Sequence, residues 1–93
     1  MQKQLVIYPL IGPELVGTLD EIVTNVLNQV GLNNYHTLLF LNQEELCYKI
    51  VYESDKFDWH INSSSNHSPE NKTTTVWVRF KNGSRIIFIN QDE

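Results

Sequence analysis

The closing stretch TTTVWVRFKNGSRIIFINQDE, Thr73 to Glu93, sets Asn82-Gly83 between two runs of β-forming residues. An Asn-Gly pair flanked in this way is a strong hairpin signal, because both residues accept the positive φ of a type I′ turn. A two-residue turn there places Phe80 opposite Arg85, Arg79 opposite Ile86, Val78 opposite Ile87, Trp77 opposite Phe88 and Val76 opposite Ile89. One face of the hairpin then carries Val76, Val78, Phe80, Ile87 and Ile89. The other carries Trp77, Ile86 and Phe88 beside Arg79. Both faces are apolar and both need cover, yet a single helix shields only one. A curled strand, a long loop or a partner molecule has to meet the Trp77 side.

Upstream, Thr18 and Glu21 have capping-box spacing, in which the hydroxyl and the carboxylate each accept a backbone N–H that the helix leaves unpaired. Leu19, Ile22, Val23, Val26, Leu27 and Val30 recur at helical spacing, and Gly31 offers a left-handed stop, so Thr18 to Val30 reads as an amphipathic helix. Gln4 to Tyr8 (QLVIY) reads as a short buried strand halted by Pro9, with a turn at Gly12-Pro13. Tyr35 to Leu41 and the alternating Leu46 to Glu53 (LCYKIVYE) read as two strands of a hairpin turning at Asn42 to Glu45. Phe57 to Ile61 reads as a half-buried strand. Asn62 to Asn71 (NSSSNHSPEN) has no hydrophobic residue and reads as an exposed, mobile loop. The expected fold is α+β: a mixed or mostly antiparallel sheet of about 5–6 strands with one helix packed on one face.

The chain has 93 residues, which sets a single domain (1–93) with one core of modest size. With 41% hydrophobic and 19% charged residues it falls in the globular range. No apolar run approaches the span of a bilayer, and the first residues lack a long secretory h-region, so a soluble, cytoplasmic protein without membrane association is expected. Cys47 is the only cysteine, which leaves no internal disulfide and favours a reducing compartment. The formal charge of −4 is unevenly spread, since residues 72–93 hold four basic and two acidic side chains while residues 1–71 hold three and nine. A basic hairpin of this kind suits an acidic partner or a phosphate backbone.

The glycines at 12, 17, 31 and 83 frame no phosphate-binding loop with a following Lys-Ser/Thr. His36, His60 and His67 lack metal-ligand spacing, and His60 with Asp58 and the nearby Asp55, or Cys47 with His36, are weak metal, general-base or nucleophile pairs. No catalytic, cofactor or metal residue is therefore nominated, and a non-enzymatic role is expected.

The segments QLVIYP (Gln4 to Pro9), the amphipathic helix and VRFKNGSRIIFI (Val78 to Ile89) resemble a strand, helix and hairpin of the bacteriophage terminase large subunit ATPase domain. The match lies mainly in Phe80 to Ile89. The family's phosphate-binding loop and its acidic strand end have no counterpart here. The resemblance thus implies a non-catalytic substructure and transfers no active-site residue. The layout is also similar to that of small phage-encoded inhibitors of host DNA enzymes, such as uracil-DNA glycosylase inhibitors.

From these readings the expected function is that of a small binding protein, plausibly phage-type, that docks on and inhibits a larger host or viral protein, for example a DNA-processing enzyme. Trp77, Arg79, Ile86 and Phe88 form the expected partner surface, with Trp59 and His60 as further candidates, because Trp and Arg commonly anchor interfaces. The alternatives are a segment of a packaging ATPase, a nucleic-acid-binding module on the basic hairpin, and a homo-oligomer formed through a sheet edge.

Overall fold

The computed structural model describes residues 3–92. Over these described residues the chain folds as an α+β domain with six strands in two sheets and two helices: β1 (Leu5–Ile7), β2 (Leu15–Gly17), α1 (Leu19–Leu32), β3 (Thr37–Leu41), α2 (Glu44–Ser54), β4 (His60–Ser68), β5 (Thr73–Phe80) and β6 (Arg85–Gln91). The larger sheet has the order β3-β6-β5-β4, with β3 parallel to β6 and the other pairs antiparallel; β1 and β2 form a small antiparallel pair. Both helices, together with Ile7 and Leu15, pack on the same face of the larger sheet. The shortest dimension, 22 Å, is that of two layers.

The helix α1 begins as its sequence requires. Thr18 Oγ1 accepts from the Glu21 N–H at 3.2 Å, and Glu21 Oε1 accepts from the Thr18 N–H at 2.9 Å. Ile22, Val23, Val26, Leu27 and Val30 are its buried stripe. It does not stop at Gly31, however; Gly31 is helical and the cap is Asn33. A Cβ at Gly31 would stand 3.2 Å from the Trp59 ring, so the glycine serves close packing rather than termination.

Four expectations are corrected. Leu46 to Glu53 is helical, not a strand, so it makes no hairpin with Tyr35 to Leu41. A strand would have buried Tyr48 and Tyr52 beside Leu46 and Ile50, whereas those tyrosines are 68% and 65% exposed. Leu46, Cys47, Ile50 and Ser54 form the buried helical stripe instead, and Glu44 and Glu45 favour the N-terminal end of the helix dipole. Secondly, most of Asn62 to Asn71 is not a loop. Its first seven residues belong to β4, paired along β5, with Ser65 opposite Val76 and Ser68 opposite Thr73. Backbone pairing needs no apolar side chain where neither face of an edge strand is covered. The strand expected over Phe57 to Ile61 starts only at His60, after a turn.

The fourth correction concerns the hairpin register. Phe80 N–H bonds to Ser84 O at 3.0 Å and Gly83 N–H to Phe80 O at 3.1 Å, so the loop is the three residues Lys81, Asn82 and Gly83, with Gly83 at φ +85°. Three-residue hairpin loops place glycine at that left-handed position. Pairing moves by one residue, to Arg79 with Arg85, Val78 with Ile86, Trp77 with Ile87 and Val76 with Phe88. A one-residue slip exchanges the faces of the slipped strand. Ile86 and Phe88 accordingly enter the core, while Ile87 and Ile89 leave it.

The loop is also anchored. Asn82 Nδ2 donates to Val30 O at 2.6 Å, and Ser84, itself buried, donates to Asn33 O at 2.6 Å and accepts from the His36 N–H at 3.1 Å. These bonds satisfy carbonyls at the end of α1 and fasten the helix to the sheet.

Candidate protein-docking face

Strand alternation sorts the larger sheet into two faces. Inward lie Leu38, Phe40, Val78, Phe80, Ile86 and Phe88, all buried. Phe40 and Phe88 stack at 5.2 Å between ring centres. Outward, the registers align three rows across the strands. The central row runs Leu39, Ile87, Trp77, Ser64; one flanking row is Leu41, Ile89, Thr75, Asn66; the other is Thr37, Arg85, Arg79, Asn62. No helix or strand among the described residues crosses this face. Leu39, Ile87, Ile89 and Trp77 are half-buried, and Leu41 is 45% exposed.

The face is also distinct electrically. Its outward positions include Arg79 and Arg85, a cross-strand pair of neighbours, and, among the described residues, no acidic residue. Arg85 Nε donates to Thr37 Oγ1 at 3.3 Å, which holds its guanidinium along the row. Asp20, Glu21, Glu44, Glu45 and Glu53 all lie on the helices of the opposite layer. The molecule therefore has an acidic helical side and a basic-apolar sheet side.

Of the six partner-surface candidates, only Trp77 and Arg79 lie here. Ile86 and Phe88 are 0% exposed under the helices, which removes them from any surface. Trp59 and His60 sit on the inner side, at the rim of the core. The Trp59 ring is 4.5 Å from that of Phe80 and 5.2 Å from that of Phe57. His60, with a side chain only 9% exposed, meets Phe80 edge-on at 5.8 Å and places Nε2 3.3 Å from Ser63 Oγ and Nδ1 3.6 Å from Asp55 Oδ1. The residues that sequence reasoning missed are Leu39, Leu41, Arg85, Ile87 and Ile89. A glycine-containing three-residue loop over Lys81 to Gly83 was the available signal for the last three.

Of the weak chemical pairs, His60 meets Asp55 at 3.6 Å rather than Asp58. Cys47 lies in the buried stripe of α2, and burial, aided by the charge of Glu44, pushes its thiol up to about 11, so it stays protonated near neutrality. His36 is bonded through Nε2 to Gln29 Oε1 at 3.2 Å. Among the described residues no group of three or more His, Cys, Asp or Glu is disposed to hold a metal ion, and no helix is long and apolar enough to cross a membrane. No family model, curated protein or solved structure matches the chain.

Proposed function

We propose that the chain is a non-catalytic binding protein that lays the outer face of its larger sheet on a partner protein. The observation that carries this reading is the uncovered row Leu39, Ile87, Trp77, bordered by Leu41 and Ile89 on one side and by Arg79 and Arg85 on the other. Apolar centres with an arginine rim are typical of protein interfaces, and a row this apolar is seldom left to water. Charge complementarity specifies a partner with an apolar centre flanked by carboxylates. On this reading a chain of 93 residues acts by occluding a surface of a larger protein, the mode expected of a phage-type inhibitor. In the packaging-ATPase alternative, neighbouring sequence would cover the same face.

Nucleic-acid binding is the second reading, favoured by the placement of Trp77 beside the Arg79 and Arg85 pair, where a base can stack and a phosphate can pair. The aliphatic residues of the central row and the net charge of −4 weigh against it.

Affinity capture with wild type, Trp77→Ala and Arg79→Ala, repeated on nuclease-treated lysate and across a salt series, tests both readings. A protein retained by wild type after nuclease treatment and lost with Trp77→Ala is the expected result. Retention unchanged in both variants would refute the docking face. Capture that disappears with nuclease and falls steeply with salt would transfer the face to nucleic acid.

A further inference from the structure

The two edges of the larger sheet are treated differently. At the β3 edge, Leu10 N–H donates to Leu39 O at 2.8 Å and Leu39 N–H to Ile11 O at 3.1 Å, so the segment before β2 blocks that edge at its middle residue. Nothing among the described residues closes the β4 edge. Exposed edges are normally protected by charge, proline or bulges. His60–Ser68 contains no charged residue of the Lys, Arg, Asp or Glu type and no proline, and its one register shift lies at the end, between His60 and Asn62.

The unpaired backbone groups can be named. Phe80 N–H bonds to β6 through Ser84 O, and Lys81 N–H bonds to Trp59 O at 2.7 Å on the β4 side. By alternation, Arg79, Trp77 and Thr75 direct their groups to β4, where they pair with Asn62, Ser64 and Asn66. Ser63, Ser65 and His67 therefore direct N–H and C=O outward, to the free edge.

The sequence of this edge is its own complement. Asn62-Ser63-Ser64-Ser65-Asn66 reads the same in both directions. In an antiparallel pairing about a two-fold axis through Ser64, Ser63 stands opposite the second copy's Ser65, so the outward-directed groups of each strand face those of the other. Asn62 meets the second copy's Asn66, amide to amide, and no like charges are opposed. An isologous contact requires this self-complementarity.

We infer that β4 is a strand-addition edge and that its occupant is a second copy of this chain, paired antiparallel about Ser64 into a continuous eight-stranded sheet. The neighbouring relief agrees. An open groove of about 430 Å³ runs between α2 and β4, lined by Tyr48, Val51, Tyr52, Ser63, Ser65 and Val76. Pairing across the two-fold axis joins two such grooves into one trough flanked by the exposed tyrosines. The inference uses the backbone of the sheet edge; Asn62, Ser64 and Asn66 end the rows of the outer face, whose apolar part over β3, β6 and β5 stays open in the dimer.

Sedimentation velocity over a concentration series tests it, with far-UV circular dichroism as the fold control. Wild type is expected to dimerise. Ser64→Asp and Ser64→Lys each oppose like charges across the axis and should weaken the dimer about fivefold, while an equimolar mixture of the two should recover a heterodimer. Ser65→Pro removes only an outward N–H and should give a folded monomer. Wild type that stays monomeric up to about 1 mM overturns the inference, as does a dimer indifferent to both Ser64 variants. A dimer lost with Trp77→Ala but kept by Ser64→Asp would also overturn it, placing self-association on the outer face.

Discussion

On the inner side of β5 and β6, Val78, Phe80, Ile86 and Phe88 lie beneath two helices and are fully buried, whereas one residue along, Trp77, Ile87 and Ile89 are only half-buried. The same two strands, rich in the same residue types, thus supply a core on one side and an uncovered surface on the other. Residue type and strand propensity do not separate these roles; cover does. Substitutions on the inner face should therefore act on stability, and those on the outer face on association.

The largest effect is expected inside. Phe88→Ala removes the ring stacked on Phe40 and should cost about 3–5 kcal/mol of unfolding free energy in urea titration. That is a large share of the 5–15 kcal/mol typical of small domains. Cys47 gives an independent reading, because its thiol, 3% exposed beside the groove between α2 and β4, reacts faster when the inner face opens. Phe88→Ala should accelerate thiol labelling by about a hundredfold or more, in step with its lost stability, and Trp77→Ala should not.

A smaller loss is expected where the hairpin loop holds α1. Asn82→Ala takes the donor from Val30 O and the acceptor from the Ser84 N–H, and should cost about 1–3 kcal/mol. Thr18→Ala should cost about 1 kcal/mol by removing the N-cap. Its pH dependence is informative. The Thr18 backbone N–H and hydroxyl hold the Glu21 carboxyl below its ordinary value of 4.5. The stability this supplies is fully present above that value and is lost as pH falls through the lowered one. Thr18→Ala keeps the backbone N–H, the larger cause, and removes only the hydroxyl, so it should flatten this part of the acid limb in part and not abolish it. The smallest stability change is expected outside, where Trp77→Ala should cost less than about 1 kcal/mol while abolishing capture of the partner. A loss comparable to that of Phe88→Ala would erase the distinction between the faces.

How much of this was readable in the sequence depended on whether a segment carried its own signal. In α1 the capping box and the apolar stripe agree, so only its last turn was missed. In Leu46 to Glu53 two periods coexist: Leu46, Tyr48, Ile50 and Tyr52 alternate, while Leu46, Cys47 and Ile50 have helical spacing, and only burial decides between them. As an edge strand β4 gave no apolar signal, since its partners are backbone groups of β5. The hairpin itself was readable, but Lys81-Asn82-Gly83 fits a two-residue or a three-residue loop, and that single residue moved Ile86 and Phe88 inward. Trp77 and Arg79 kept their place on the outer face, while Leu39 and Leu41 joined it only through the long-range parallel pairing of β3 with β6.

The docking face is best tested by replacing Trp77 with the photo-crosslinker p-benzoylphenylalanine, with the same group at the exposed Asn25 of α1 as the control. Irradiation in lysate, followed by mass spectrometry, should give a discrete protein adduct from position 77 and none from position 25. Adducts from position 25 alone, or equal adducts from both, would contradict an interface on the outer sheet face.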